Sequence, residues 1–267
     1  MATAIRLALL QMDIKIGDVE ANYKNLQSMI EEAAGQAVKP DIVIFPELWN
    51  TGFQLDQIKA LADEDGHRAR KLLSELSKKF HMNIIGGSIA ELRGDEVYNT
   101  LIAFDREGNE VADYSKIHLF RLMDEEKYLS AGEKTALFEL DGEKAGAFIC
   151  YDTRFPELSR KLALAGAKMV FVPAQWPHPR MHHWKTLLMA RAIENQMFVI
   201  ACNRTGKSGD THFFGSSMVI DPWGEVIAHA EEEETIIYAD IDLALVDEVR
   251  ARIPIFKDRR PEIYTQD

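Results

Sequence analysis

Short runs of apolar and β-branched residues alternate with longer amphipathic segments, and this alternation constrains the fold of the chain more than any other feature. Short β-rich runs favour strands, whereas apolar residues recurring at spacings of three and four favour helices. In the segment 69–81, Leu72, Leu73, Leu76 and Phe80 recur in this way, so one helical face is predicted to be buried. The alternation therefore predicts an α/β protein with helices covering a sheet.

The predicted elements are distributed unevenly along the chain. Strands are predicted at 5–11, 42–45, 83–89, 100–104, 145–150, 169–172, 198–202, 217–220 and 236–240, and helices at 20–34, 69–81, 156–165 and 184–195. The later strands follow one another closely, which favours a mixed sheet or two stacked sheets over a purely parallel one. No long linker, repeat or low-complexity tract interrupts the 267 residues, so a single domain over 1–267 is predicted.

Charge and cysteine content exclude several classes of protein. The formal net charge is −12, which argues against a general nucleic-acid binder but not against an anionic small substrate. Two cysteines, Cys150 and Cys202, do not make a disulfide framework. The apolar start of the chain is broken at Gln11, too early for a signal segment, and no run is long enough to span a bilayer. A cytoplasmic protein without a membrane partner is expected.

Cys150 is the first residue whose position suggests chemistry. It ends an apolar run and precedes Pro156, a residue suited to the first turn of a helix. A cysteine at such a strand-to-helix turn lies near free amide groups and the positive end of the helix dipole, which favour the thiolate and can stabilise an oxyanion. The alternative is a small buried hydrophobic residue at the end of a strand.

Two charged residues occupy comparable positions. Glu47 follows a four-residue apolar run and has Leu48 and Trp49 beside it, so it would be partly desolvated, as a base working near neutral pH must be. Lys116 lies in an extended segment and could lower the pKa of a nearby cysteine and stabilise an oxyanion. Considered alone, Glu47 would be interpreted as a helix N-cap or a solvated loop acid, and Lys116 as one surface lysine among many. No histidine spacing suits a zincin, and the adjacent His182 and His183 would diverge on a helix, so no metal site is predicted.

These motifs, in this order, resemble the nitrilase superfamily of carbon–nitrogen hydrolases. The matching segments are Phe45-Pro46-Glu47, Lys116-Ile117-His118-Leu119 and Cys150-Tyr151-Asp152-Thr153-Arg154-Phe155-Pro156-Glu157, with further agreement at 97–100, 190–195, 202–206, 214–217 and 221–224. The resemblance implies a four-layer αββα sandwich in one domain, usually paired as a homodimer or higher homo-oligomer. It also implies hydrolysis of a non-peptide C–N amide bond through a cysteine thioester, with release of ammonia and without a metal or organic cofactor.

The resemblance also assigns roles to individual residues. Glu47 would be the general base and acid, Lys116 the stabiliser of the oxyanion, and Cys150 the nucleophile. The amide of Tyr151 would complete the oxyanion hole. Many members carry a second glutamate after the lysine motif, and Glu125 matches it best, although the adjacent Glu126 leaves the choice open.

Within the superfamily, segments 122–132 and 175–185 resemble the ω-amidase branch, which removes the terminal amide of 2-oxoglutaramate or 2-oxosuccinamate. Such a substrate needs a cation at its 2-oxo acid end. Arg180, His178 and Arg154 are candidates, although Arg154 is better explained as anchoring the turn after Cys150 to a carboxylate. Trp176 is expected to line the pocket, with a role in the core as the alternative.

Other functions remain compatible with the same three residues. A nitrilase, an N-carbamoyl-amine hydrolase or an acyltransferase would keep the triad and change the substrate, and a catalytically silent binding module would keep only the fold.

The C-terminal stretch of about 250–267 alternates between apolar and basic residues. We expect it to contribute to a subunit interface, with a solvated tail as the competing interpretation.

Overall fold

The computed structural model describes residues 4–264 of the chain. The strands are β1 (Ile5–Gln11), β2 (Ile42–Ile44), β3 (Asp63–Glu64), β4 (Asn83–Ile85), β5 (Ile89–Arg93), β6 (Glu96–Phe104), β7 (Glu110–Ser115), β8 (Ala136–Leu140), β9 (Glu143–Ala147), β10 (Met169–Ala174), β11 (Phe198–Asn203), β12 (Thr205–Ser208), β13 (Thr211–Phe214), β14 (Met218–Ile220), β15 (Val226–His229) and β16 (Thr235–Ile241). The helices are α1 (Val19–Ala34), α2 (Ile58–Leu61), α3 (His67–Phe80), α4 (Pro156–Leu164), α5 (Met181–Asn195), α6 (Ala244–Arg252), α7 (Ile255–Asp258) and α8 (Pro261–Tyr264). Each predicted strand and helix overlaps one of these elements.

The strands form two mixed sheets and a separate hairpin. The first sheet has the order β16-β1-β2-β4-β6-β5-β3, with β7 also paired to β6, and the second has the order β15-β14-β11-β10-β9-β8. Both contain parallel and antiparallel pairs: β1 runs parallel to β2 and antiparallel to β16, and β10 runs parallel to β9 while β8 runs antiparallel to it. β12 and β13 form the hairpin. The prediction of stacked mixed sheets is confirmed.

The alternation of side chains along β1 explains how the layers pack. Leu7 and Leu9 belong to one apolar cluster with Phe171 of the second sheet, so they fill the space between the sheets. Ala8 and Leu10 belong to a second cluster that includes residues of α1 and α3. Residues of α4 and α5 join the first cluster from the outer side of the second sheet. Because successive side chains of a strand point to opposite faces, this arrangement gives the αββα sandwich that was expected.

Three predicted strands end earlier than the sequence suggested, and the segment 42–45 does so by one residue, at Ile44. The segment 83–89 is divided by Gly86 and Gly87 into β4 and β5. Gly87 has a φ of +54°, and a Cβ at this position would collide with the carbonyl of Pro46, so a glycine is needed where the chain passes close to Pro46. The segment 145–150 stops at Ala147.

The helices of the described residues are short. The longest, α1, has 16 residues. Across residues 4–264, no helix combines the length and the apolar composition that crossing a bilayer requires.

Candidate active site

Glu47 lies directly beyond β2 and is fully buried. Its Oε1 accepts a hydrogen bond from Asn99 Nδ2 at 2.8 Å, and its Oε2 accepts one from the backbone amide of Gln175 at 2.9 Å. Asn99 belongs to β6 of the first sheet and Gln175 follows β10 of the second. Both sheets therefore hold this carboxylate, and it is neither a solvated loop acid nor a helix cap.

Lys116 follows β7 and is also fully buried. Its Nζ donates to Glu47 Oε1 and to Glu125 Oε1, each at 2.8 Å. Its backbone is held on both sides, since the amide donates to Asn99 O and the carbonyl accepts from Gly132 N. A Cβ on Gly132 would collide with the carbonyl of Ser115, so this close approach requires glycine. Lys116 is thus a buried ammonium placed between two carboxylates.

Glu125 is the second glutamate of the site. It is fully buried and its Oε2 accepts a hydrogen bond from the amide of Phe120 at 3.0 Å. Glu126 is exposed. Of the two candidates, the structure places Glu125 against Lys116.

Cys150 is the first residue of a 3-10 turn, Cys150–Arg154, and α4 begins only at Pro156. The cysteine has a φ of +45°, a left-handed conformation that a non-glycine residue adopts only where its surroundings enforce it. It is 8 % exposed and lies at a cleft. The expected strand-to-helix turn is present, but a 3-10 turn rather than the α-helix follows the sulfur directly.

A buried carboxylate, Asp152, fixes this turn. Its Oδ2 accepts hydrogen bonds from the Ile149 amide at 2.9 Å and the Tyr114 hydroxyl at 2.7 Å. Its Oδ1 accepts from the His118 amide at 3.0 Å and contacts His118 Nδ1 at 2.7 Å. The His118 ring stacks on Phe155, with ring centroids 3.5 Å apart. Asp152 thereby ties the Cys150 turn to the segment that carries Lys116.

The electrostatics of the buried groups differ from the sequence-based expectation for Cys150. Burial, together with the negative charge of Glu47, raises the pKa of the Cys150 thiol well above its ordinary value, and Lys116 opposes this only in part. Lys116 favours the thiolate, as expected, but burial and Glu47 outweigh it, so the expectation of a thiolate in the resting site is wrong. Such a thiol has to lose its proton to a base as it attacks.

The lysine and the second glutamate are also shifted. Burial disfavours the charged form of Lys116, but Glu125 and Glu47 outweigh it and hold the pKa of the ammonium well above its usual range. Burial raises the pKa of Glu125 to about 7, with Lys116 acting in the opposite direction. The site thus combines a stable ammonium with a carboxyl that titrates near neutrality.

The cleft beside Cys150 has a volume of about 290 Å³, including its open mouth. Its lining combines aromatic, apolar and cationic side chains and consists of Phe53, Phe120, Met123, Glu125, Cys150, Tyr151, Arg154, Gln175, Trp176, Pro177 and Arg180. An aromatic and apolar lining with a few charged and polar groups is typical of small-molecule sites.

The candidate substrate-binding residues are only partly brought together. Trp176 and Arg180 line the cleft, and the Trp176 indole donates to the Arg180 carbonyl at 3.1 Å. Arg154 also lines it, over the Trp176 ring at 4.8 Å and beside His183. Within the described residues, Arg154 pairs with no carboxylate, so the interpretation of Arg154 as the anchor of the turn after Cys150 is wrong. Asp152 anchors that turn instead. His178 lies outside the cleft, beside Glu232.

Two functional candidates were not singled out from the sequence. Asn99 and Gln175 lie in segments that contributed to the resemblance, yet nothing in those segments marks them as partners of Glu47. Gln175 is 128 positions from Glu47 along the chain, and only the stacking of the two sheets brings them into contact.

Comparison with known proteins gives one consistent result. The model of the family described as "Carbon-nitrogen hydrolase" matches residues 6–251. A 2-oxoglutaramate amidase of Bacillus subtilis is 48% identical over 97% of this chain and 98% of its own. The Omega-amidase NIT2 of Homo sapiens is 35% identical over 98% of this chain and 97% of its own.

A solved structure agrees with these relatives. The crystal structure of Saccharomyces cerevisiae Nit3, a member of branch 10 of the nitrilase superfamily, is 33% identical and superposes with a TM-score of 0.90, covering 96% of this chain and 97% of that one. The match extends over nearly the whole sandwich, which confirms the predicted fold and the predicted reaction class, hydrolysis of a C–N amide bond. This chain belongs to the carbon–nitrogen hydrolase family.

Proposed function

We propose that this chain is an ω-amidase that hydrolyses the terminal amide of 2-oxoglutaramate or of a similar dicarboxylate monoamide. The observation that carries the proposal is the convergence of Glu47, Lys116 and Glu125 on one buried ion cluster whose charges act on Cys150 at the base of a small cleft. The relatives named 2-oxoglutaramate amidase and Omega-amidase support this choice of substrate.

The proposed reaction begins at the sulfur. Cys150 gives its proton to Glu47 as its sulfur forms a bond to the amide carbon. Lys116 and the backbone amide of Tyr151 stabilise the oxyanion. Glu47 then returns the proton to the amide nitrogen as the C–N bond breaks, which releases ammonia and leaves a thioester. This order suits a thiol whose pKa is raised by burial and by Glu47, because the base that takes the proton is already close by.

The second half of the reaction uses the same carboxylate. Glu47 takes a proton from water as the water oxygen attacks the thioester carbon, and the C–S bond then breaks with the proton returning to Cys150. The product is a carboxylic acid and the cysteine is regenerated. Lys116 keeps its charge throughout, as expected for an ammonium held between two carboxylates.

The 2-oxo acid end of the substrate is proposed to meet Arg154 and Arg180. Both line the cleft, and within residues 4–264 neither forms an ion pair with a carboxylate. Arg154 lies over Trp176 and Arg180 lies 5.5 Å from the Phe120 ring, so aromatic faces support both guanidinium groups and leave their donors available to an anion.

The test is ammonia release from 2-oxoglutaramate compared with glutamine, asparagine, a simple nitrile and an N-carbamoyl amine. We expect 2-oxoglutaramate to have the highest kcat/KM and Arg180→Gln to raise its KM. Cys150→Ala should abolish turnover, while Cys202→Ala, which removes a buried thiol in β11, should retain it. A preference for the nitrile or the carbamoyl compound would select one of those hydrolases, and thioester transfer to an added amine would indicate an acyltransferase. No turnover with any compound would indicate a silent binding module.

We further propose that the chain folds as one carbon–nitrogen hydrolase domain over 1–267, acts in the cytoplasm and forms a homodimer or a higher homo-oligomer. The segment of about 250–267 would contribute to the dimer interface. Its described part contains the short helices α7 and α8, in which Ile263 is 63 % exposed, and residues 265–267 lie outside the described range. Light scattering of a chain truncated before Ile253 tests this role, and an unchanged dimer would exclude it.

A further inference from the structure

Two histidines and a glutamate converge on the surface beside the cleft, apart from the buried ion cluster. His178 Nε2 lies 3.6 Å from Glu232 Oε1, and His212 Nε2 lies 3.5 Å from Glu232 Oε2. One potential ligand atom from each of the three residues can be chosen so that all lie within 4.8 Å of one another. Two imidazoles and a carboxylate form a ligand set that zinc and similar divalent metals favour.

The three residues stand on backbone that is already fixed. His212 belongs to β13, and the amide of His178 donates to the His212 carbonyl at 2.9 Å. The Glu232 carbonyl accepts a hydrogen bond from the Thr205 hydroxyl. The carbonyls on either side of Glu232 accept from the Gln11 side chain at 2.6 and 2.8 Å. An ion would therefore require side-chain adjustment and no refolding of the main chain.

The spacing suits a metal with short bonds. A tetrahedral ion with ligands at roughly 2.0–2.1 Å separates adjacent ligand atoms by about 3.4 Å. The His178 and His212 nitrogens lie 3.6 and 3.5 Å from the two different oxygens of Glu232, and one ligand atom from each residue can be chosen with all separations within 4.8 Å. The side chains would therefore draw together slightly to reach that geometry. The side chains are 38 %, 38 % and 48 % exposed, which leaves room for water in a fourth position. The acidic run from Glu231 to Glu234 adds negative charge that attracts a cation.

We propose that His178, His212 and Glu232 form a binding site for a divalent transition metal such as Zn²⁺. The site is separate from amide hydrolysis and does not depend on the proposed substrate. Met123, Pro177 and Arg180 line both the cleft and an adjoining hollow that His178 and His212 also line. A bound ion would tie the segment 175–180, which carries Gln175 and Trp176, to the β12–β13 hairpin and so stiffen one wall of the cleft.

Calorimetric titration of the full chain with Zn²⁺ tests the proposal. We expect one ion per chain, and a Tm increase of about 5–10 °C at a hundredfold excess over Kd. His212→Ala and the nearly isosteric Glu232→Gln should each weaken binding at least ~10-fold, since loss of a direct ligand costs no less than loss of its outer partners. His182→Ala removes a nearby exposed histidine outside the group and should leave binding unchanged.

A second control separates this site from the catalytic sulfur. Cys150→Ala, which should have no amidase turnover, is expected to bind Zn²⁺ as the native chain does. Loss of binding in Cys150→Ala, or equal binding in the native chain and in both ligand variants, would overturn the proposal. Absence of any Zn²⁺ binding by the native chain would do the same, whatever the outcome of the ammonia-release assays.

Discussion

Asp152→Asn is the substitution for which the structure gives the sharpest expectation. The native carboxylate accepts from two backbone amides, of Ile149 and His118, and from the Tyr114 hydroxyl, with the His118 ring as a further partner. An asparagine has only one acceptor oxygen, so its amino group must face one of the two pairs of partners. The Tyr114 hydroxyl can rotate and the His118 ring can change tautomer, but a backbone amide cannot become an acceptor. Either orientation leaves one amide without a partner.

The size of the stability loss depends on which of the two backbone amides is left without an acceptor. The Ile149 amide is fully buried, whereas the His118 amide is only partly buried, so we expect the amino group to face His118. An unpaired donor costs about 1–3 kcal/mol, and the remaining bonds lose the advantage of a charged acceptor, about 1 kcal/mol. Because the His118 amide is only partly buried, solvent offsets part of this cost, and the net loss should be about 2–3 kcal/mol. For a chain of this size that lowers Tm by about 4–12 °C.

Thermal unfolding and steady-state kinetics measure the two consequences. Because Asp152 positions the Cys150 turn and does not line the cleft, we expect kcat to fall on the order of tenfold to a hundredfold with KM nearly unchanged. Asp95→Asn alters a fully exposed aspartate and should change neither quantity. Native Tm and native kcat in Asp152→Asn would refute the reasoning, and a rise in KM alone would show that Asp152 acts on substrate binding.

Three further predictions concern the same region. Glu47→Gln removes the negative charge that raises the pKa of Cys150. The rate of Cys150 alkylation by iodoacetamide, followed by mass spectrometry, should therefore rise at a lower pH than in the native chain, and an unchanged pH profile would contradict this. The folded-state pKa of Glu125 is raised from 4.5 to about 7, so its contribution to stability is present below pH 4.5 and lost as the pH rises to 7. Urea unfolding measures this contribution. Between pH 4.5 and 7, the free energy of unfolding of Glu125→Gln should change by on the order of 3 kcal/mol less than that of the native chain, and the same change in both proteins would refute the prediction. Gly87→Ala should lower the free energy of unfolding by about 1–3 kcal/mol more than Gly94→Ala does, because both glycines have positive φ but only Gly87 would place a Cβ against the backbone. Equal losses for the two variants in urea unfolding would exclude this contact.

Much of the fold could be predicted because the pattern of side chains along each strand reflects its burial. β1 was predicted with its observed bounds, since its apolar run is buried between partners on both faces. The hairpin of β12 and β13 was not predicted, because its segments are four residues long and half polar. The break at Gly86 and Gly87 depends on how closely the chain passes Pro46, and a pattern within one segment carries no information about that distance.

For the site, the sequence supplied the chemical types and the structure supplied their mutual positions. The resemblance named Glu47, Lys116 and Cys150 from three separate motifs. It could not show that burial would keep the Cys150 thiol protonated, because desolvation is set by the whole sandwich. Nor could it separate Arg154 from Asp152 as the anchor of the turn, since two of the partners of Asp152, His118 and Tyr114, lie 34 and 38 positions away.

Glu47 extends from the first sheet and Cys150 from the second, and Gln175, which follows β10 of the second sheet, bridges to Glu47. Its side chain donates to the Glu47 carbonyl at 2.6 Å, and its backbone amide donates to the Glu47 carboxylate through a hydrogen bond of 2.9 Å. A slip of one sheet past the other by one residue, about 3.3 Å, would exceed the length of that bond. Turnover should therefore be more sensitive to the relative position of the two sheets than secondary structure is. Under mild denaturant, turnover would disappear while the strands and helices still give a native circular dichroism spectrum.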